Sequence, residues 1–104
     1  YKRQKESIAK MKDGVILINT SRGGLINEDD LVNALNSGKI YAAGLDVISE
    51  EPPRHDLGIL HCENATITDH IAYLPKTSRL RSVSVAISNF KAYLDGCPTS
   101  VINK

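Results

Sequence analysis

A chain of 104 residues suits one domain, residues 1–104, with one core, and such a domain buries roughly 65% of the surface its unfolded chain exposes. Composition is that of an ordinary globular protein, 41% hydrophobic and 24% charged, and a net charge of +1 gives no electrostatic footing for nucleic acid or an anionic membrane. The longest apolar runs are about five residues, far short of the ~20 that cross a bilayer.

Cys62 and Cys97 are far apart and outside CxxC spacing, so both are expected as reduced thiols in a cytoplasmic protein, with no disulfide and no metal site. The polar opening Tyr1-Lys2-Arg3-Gln4-Lys5-Glu6 does not read as a secretory leader. Residues 3–12 then read as a short helix with Ile8, Ala9 and Met11 on its apolar side, ended by Asp13-Gly14. Val15–Ile18 is continuously apolar and β-branched, which predicts a strand buried on both faces. Asn27 is an N-cap, with Glu28, Asp29 and Asp30 in the positive first turn of the next helix. Leu31, Val32 and Leu35 supply its buried stripe, and Gly38 stops it. Ile40–Val47 is the second strand, in which Ala42, Ala43 and Gly44 leave room for close backbone or ligand approach. Residues 48–64 form a long proline-containing loop, a length that is often functional. A short strand at 65–68 and an irregular stretch to Lys76 follow. From Thr77 to Asp95, Leu80, Val83, Ile87, Phe90 and Leu94 share one helical face, closed by Gly96 and Pro98. That stripe suits a helix docked on a sheet, with a surface that meets another domain or subunit as the alternative.

Alternating helices and strands predict an α/β fold in three layers: three parallel strands, right-handed crossovers and helices on both faces. The outermost strands would expose unpaired backbone, which invites a homodimer or a domain swap. In an open α/β sheet, ligands bind beyond the carboxyl ends of the strands. Arg22 follows the first apolar run, Glu51 the second and His70 the third. Taken singly, each is ordinarily a solvated or structural residue. Together at one rim, a guanidinium, a carboxylate and an imidazole suit a small anionic substrate and a proton transfer. His55 and His61 are expected as surface loop residues, and Glu50 as a solvated neighbour of Glu51.

The stretch Met11-Lys12-Asp13-Gly14-Val15-Ile16-Leu17-Ile18-Asn19-Thr20-Ser21-Arg22-Gly23-Gly24 resembles the signature of the D-isomer-specific 2-hydroxyacid dehydrogenases. So do Gly44-Leu45-Asp46-Val47 with Glu51-Pro52, and Thr68-x-His70-Ile71-Ala72. The likeness runs from about residue 6 to residue 103, with three motifs in the family's order. Asn36-Ser37-Gly38-Lys39-Ile40 and Val47-Ile48-Ser49-Glu50-Glu51-Pro52-Pro53 are most similar to the D-glycerate dehydrogenase (hydroxypyruvate reductase) branch. The resemblance implies the C-terminal half of a nucleotide-binding region, a half-Rossmann unit, with NAD or NADP as cofactor and a small 2-oxo or 2-hydroxy acid as substrate. It implies that Arg22 holds the substrate carboxylate, that His70 is the general acid and that Glu51 pairs with it. An anion beside an imidazole favours the imidazolium form, which keeps a proton available. It further implies that Asp46 and the backbones of Thr20 and Ala72 hold the nicotinamide carboxamide.

The chain also departs from that family. No GxGxxG occurs, nor a strand followed by an acidic residue to read the adenosine ribose, both of which family members carry upstream. The family's substrate domain, built from both chain ends, is likewise not expected within these 104 residues. Without the glycine-rich loop and its helix N-terminus, the diphosphate has no cradle. Asp69 stands where the family has Pro before the histidine, Tyr73-Leu74-Pro75 replaces a small polar stretch, and Arg54-His55-Asp56-Leu57-Gly58-Ile59 replaces an acidic-Asn-Pro-Leu loop. Lys2, Arg3 and Lys5 stand where a longer chain would still be threading through the domain. The expectation is an excised or redesigned stand-alone fragment, inactive alone and binding no cofactor tightly. One alternative is a complementing half that reduces hydroxypyruvate or a related 2-oxo acid with NAD(P)H when assembled. Another is an anion- or nucleotide-binding module using only the nicotinamide edge.

Overall fold

The computed structural model describes residues 2–102, with side chains from residue 5 onward. The side chains of Lys2 and Arg3, and residue 103 where the family likeness ends, lie outside the described residues. The elements run in the order α1 (Lys2–Ala9), β1 (Val15–Asn19), α2 (Glu28–Asn36), β2 (Ile40–Leu45), β3 (Ala65–Ile67) and α3 (Lys76–Leu94), with 3-10 turns at Gly23–Leu25 and Gly58–His61. They divide into two compact units, residues 1–71 and 72–104.

In the first unit the three strands are parallel in the order β1-β2-β3, with Asn19 opposite Leu45 and Leu45 opposite Ile67. The α2 sequence dictates its own limits. Asn27 Oδ1 accepts a hydrogen bond from the Asp30 N–H at 3.0 Å, and Glu28, Asp29 and Asp30 sit where the helix dipole favours anions. At the other end Gly38 takes φ +75°, a left-handed turn that costs glycine little, and its N–H reaches the Leu35 carbonyl. Leu31, Ala34 and Leu35 of α2 join Ile8 of α1 against Ile40, Ala43, Leu45, Ile48 and Ile59 to make the core. Leu31, Ile40 and Ile59 are fully buried, and each contributes about 2 kcal/mol by leaving water.

The helix α1 ends at Ala9, earlier than residue 12. Lys39 Nζ reaches both the Met11 carbonyl and Asp13 Oδ1 at 2.6 Å, and the Gly14 N–H bonds the Lys39 carbonyl at 3.1 Å. These bonds turn the chain out of the helix and align β1 beside β2. The strands also stop sooner than expected, at Leu45 rather than Val47 and at Ile67 rather than residue 68. The ladder hydrogen bonds beyond those points pass to rim residues instead.

One expectation fails in this unit. β1 is buried on one face only: Ile16 and Ile18 are 64% and 73% exposed, as is Tyr41 of β2 at 69%. Side chains alternate along a strand, so Val15 and Leu17 meet the helices while Ile16 and Ile18 point the other way. Both helices of the unit contribute to the same core, on the Val15 and Leu17 side of the sheet. A continuous apolar run therefore marks two faces without saying that both are covered.

The second unit contains α3, one residue offset at each end from the expected span. Its C-terminus is closed by the Gly96 N–H on the Tyr93 carbonyl and the Cys97 N–H on the Ala92 carbonyl, a Schellman pairing. None of its side chains is buried. Among the described residues no helix is long and apolar enough to cross a membrane.

Candidate active site

The strand register sets Asn19, Leu45 and Ile67 level, so Thr20, Asp46 and Thr68 leave the sheet at one edge. Asp46 is only 5% exposed, and a buried carboxylate requires hydrogen-bond donors. Its Oδ1 accepts from Thr68 Oγ1 at 2.5 Å and from the Ile71 N–H at 2.9 Å. Its backbone extends the ladder, donating to the Asn19 carbonyl and accepting from the His70 N–H, both at 2.9 Å. Asn19, 7% exposed, is the matching buried polar group at the end of β1. Its Oδ1 accepts from the Ser21 N–H at 3.1 Å and its Nδ2 donates to the Arg22 carbonyl at 2.9 Å, which folds residues 19–22 into a local turn.

His70 occupies the left-handed region at φ +52°, a conformation uncommon outside glycine and often associated with functional positions. The bond from its N–H to Asp46 holds it there, and its ring meets Glu51. The distance from His70 Nδ1 to Glu51 Oε2 is 2.8 Å. The other oxygen, Oε1, accepts from the Ile48 N–H at 3.2 Å. Hydrogen bonding from His70, and secondarily from the Ile48 amide, holds the Glu51 carboxyl below its ordinary range. With Nδ1 donating to a carboxylate, Nε2 is the ring nitrogen left to exchange a proton. A pocket of about 180 Å³ lies here, lined by Asp46, Ile48, Glu51, Pro52, Pro53, Ile67, Thr68, Asp69 and His70.

The structure therefore brings together Glu51, His70 and Asp46. Arg22 is on the same edge through Asn19, but its exposed side chain bonds the Ser21 carbonyl at 2.7 Å and does not line that pocket. Thr20 follows Asn19 and is exposed; Ala72 is an exposed turn residue of the second unit. His55 and His61 are exposed, as expected. Glu50 is exposed, as expected, and pairs with Arg54 at 2.9 Å.

Sequence reasoning missed several contributors. Asn19 and Thr68 are polar residues closing apolar strands, a signal that could have marked them as rim anchors. Gly23 lies so close to the following loop that a Cβ there would sit 1.7 Å from the Ile48 carbonyl oxygen. Glu28 Oε2 accepts from the Ser49 N–H at 3.1 Å, a contact across 21 residues that no local pattern reveals.

Residues 3–72 match the family described as D-isomer specific 2-hydroxyacid dehydrogenase, NAD binding domain. The chain belongs to this family. A hydroxypyruvate reductase of Blautia hydrogenotrophica is 56% identical over 100 residues, covering 96% of this chain and 31% of that protein. Among solved structures, an acyclic imino acid reductase in complex with NADPH and D-arginine superposes with a TM-score of 0.76 at 31% identity, covering 95% of this chain and 31% of the other. The D-lactate dehydrogenase of Aquifex aeolicus, complexed with NAD and lactic acid, gives a TM-score of 0.64 at 36% identity, over 89% of this chain and 32% of the other. The chain thus spans about a third of the length of these relatives.

Proposed function

We propose that this chain carries the catalytic edge of an NAD(P)-linked dehydrogenase that reduces hydroxypyruvate or a related small 2-oxo acid. The observation that supports it most is the 2.8 Å bond between Glu51 Oε2 and His70 Nδ1 at the carboxyl edge of a parallel sheet. In this reading His70 gives a proton from Nε2 to the substrate carbonyl oxygen, while Glu51 fixes the ring through Nδ1. Arg22 clamps the substrate carboxylate through two guanidinium N–H groups, for which its side chain must turn from the Ser21 carbonyl. The cofactor fits at one end. Asp46, buried and lining the His70 pocket, with the backbone of Thr20, would hold the nicotinamide carboxamide. When bound, NAD(P)H supplies the hydride. The choice of hydroxypyruvate draws on relatives that bear that name.

These 104 residues include no glycine-rich diphosphate loop, so by themselves they are inactive and recover turnover when that segment and a substrate domain are supplied. The open edges of β1 and β3 favour self-association of the isolated chain. The test is a chimera in which this chain replaces its counterpart in the 56% identical relative, assayed for NADH consumption with hydroxypyruvate. Turnover is expected, falling about a hundredfold or more on Arg22→Ala or His70→Gln, with none from the isolated chain. A folded, NADH-binding chimera without turnover would overturn the proposal.

A further inference from the structure

We propose that Glu28 is a positioning residue for the Glu51–His70 pair, clamping the turn at residues 48–51 to the start of α2 through the Ser49 amide. This rests on the dehydrogenase reading above for its consequence, and on geometry for its substance. Two successive amides of that turn are held by two different carboxylates. The Ile48 N–H donates to Glu51 Oε1 at 3.2 Å, and the Ser49 N–H donates to Glu28 Oε2 at 3.1 Å. From the other side, Gly23 lies against the Ile48 carbonyl with no space for a methyl group, and the Ile48 side chain is itself in the core. The turn is therefore gripped at its start from two directions, and Glu51 is presented with Oε2 facing His70.

An acidic residue at a helix N-terminus needs no special explanation, but Asp29 and Asp30 already fill that first turn. Glu28 does something they do not. Its carboxylate bends back to the loop, and its Oε1 is buried with no hydrogen-bond partner. An unsatisfied carboxylate oxygen is costly, and the orientation that places it there is the one that delivers Oε2 to Ser49. A residue serving only the helix dipole would leave both oxygens in water. Displacing the turn by about 1 Å would take Glu51 Oε2 out of hydrogen-bond reach of His70 Nδ1, so the clamp sets the orientation of the imidazole.

The test uses this chain without substrate or cofactor, so its outcome is independent of the NADH assay and either reading can fail alone. Glu28→Asp keeps the charge but shortens the reach by one methylene; Glu28→Gln keeps the reach and a carbonyl acceptor but removes the charge. Nuclear magnetic resonance follows hydrogen exchange of the Ser49 amide and the titration of the Glu51 carboxyl. In E28D the Ser49 amide is expected to exchange about tenfold faster, with the Glu51 midpoint rising towards the ordinary carboxylate value. E28Q is expected to keep both at their original values, and strand amides are unaffected in either variant. The clamp is overturned if E28D behaves as the parent, if E28Q is as impaired as E28D, or if E28D loses strand protection throughout.

Discussion

On the β2–β3 side of the rim, Asp46, Thr68, Glu51 and His70 hold one another in place, and each hydrogen bond among them is made by this chain's own residues. On the β1 side only the backbone is fixed: Asn19 pins the Ser21 amide and the Arg22 carbonyl, while the guanidinium rests on a neighbouring carbonyl in solvent. The difference matches the chemistry proposed for each side. A proton donor must be within hydrogen-bond reach and in one orientation before the reaction begins. A long, flexible cation can acquire its geometry from the anion it binds.

Substitutions on the two sides should therefore differ in what they cost the fold. Gly23→Ala should have the largest effect, since the new methyl would overlap the Ile48 carbonyl oxygen and both are backbone-anchored. A loss of about 3 kcal/mol in denaturant unfolding is expected. Asp46→Ala comes next, leaving the Ile71 N–H and the Thr68 hydroxyl without their acceptor, at about 2 kcal/mol. Acid gives a smaller effect with a defined sign. Because the Glu51 carboxyl is lowered from 4.5, chiefly by its hydrogen bond to His70, its contribution is complete above that value. It is lost as pH falls through the lower folded-state value, and carbon-detected titration of Glu51 should show the midpoint below 4.5. Arg22→Ala should change stability by no more than about 0.5 kcal/mol, measured in the same unfolding experiment. An Arg22→Ala loss as large as that of Asp46→Ala would erase the distinction between the two sides.

Much of this architecture is written in short-range patterns. Asn27, the acidic triplet after it and Gly38 delimit α2 because capping is a local matter, and the three apolar runs mark the strands for the same reason. Arg22, Glu51 and His70 were readable as rim residues because parallel strands end together. What escaped is what depends on distant partners. The exposure of Ile16 and Ile18 depends on what lies over the second sheet face, which alternation alone cannot report. The 64% and 73% values were therefore not foreseeable from Val15–Ile18. The early end of α1 depends on Lys39, far along the chain, and the contact of Gly23 with Ile48 depends on how two separate turns are brought together.

The common departure edge of the strands has one more consequence. The turns at the opposite end of the sheet, around Asp13-Gly14, Ser37-Gly38-Lys39 and Glu63-Asn64, contain none of the rim residues. Insertions or deletions there would lengthen or shorten the crossovers at a distance from the chemistry. A length change between Asn19 and Asn27, or between Asp46 and Glu51, would instead pull a side chain out of the site. Length variation in related chains should therefore collect at one end of the sheet and be purged from the other.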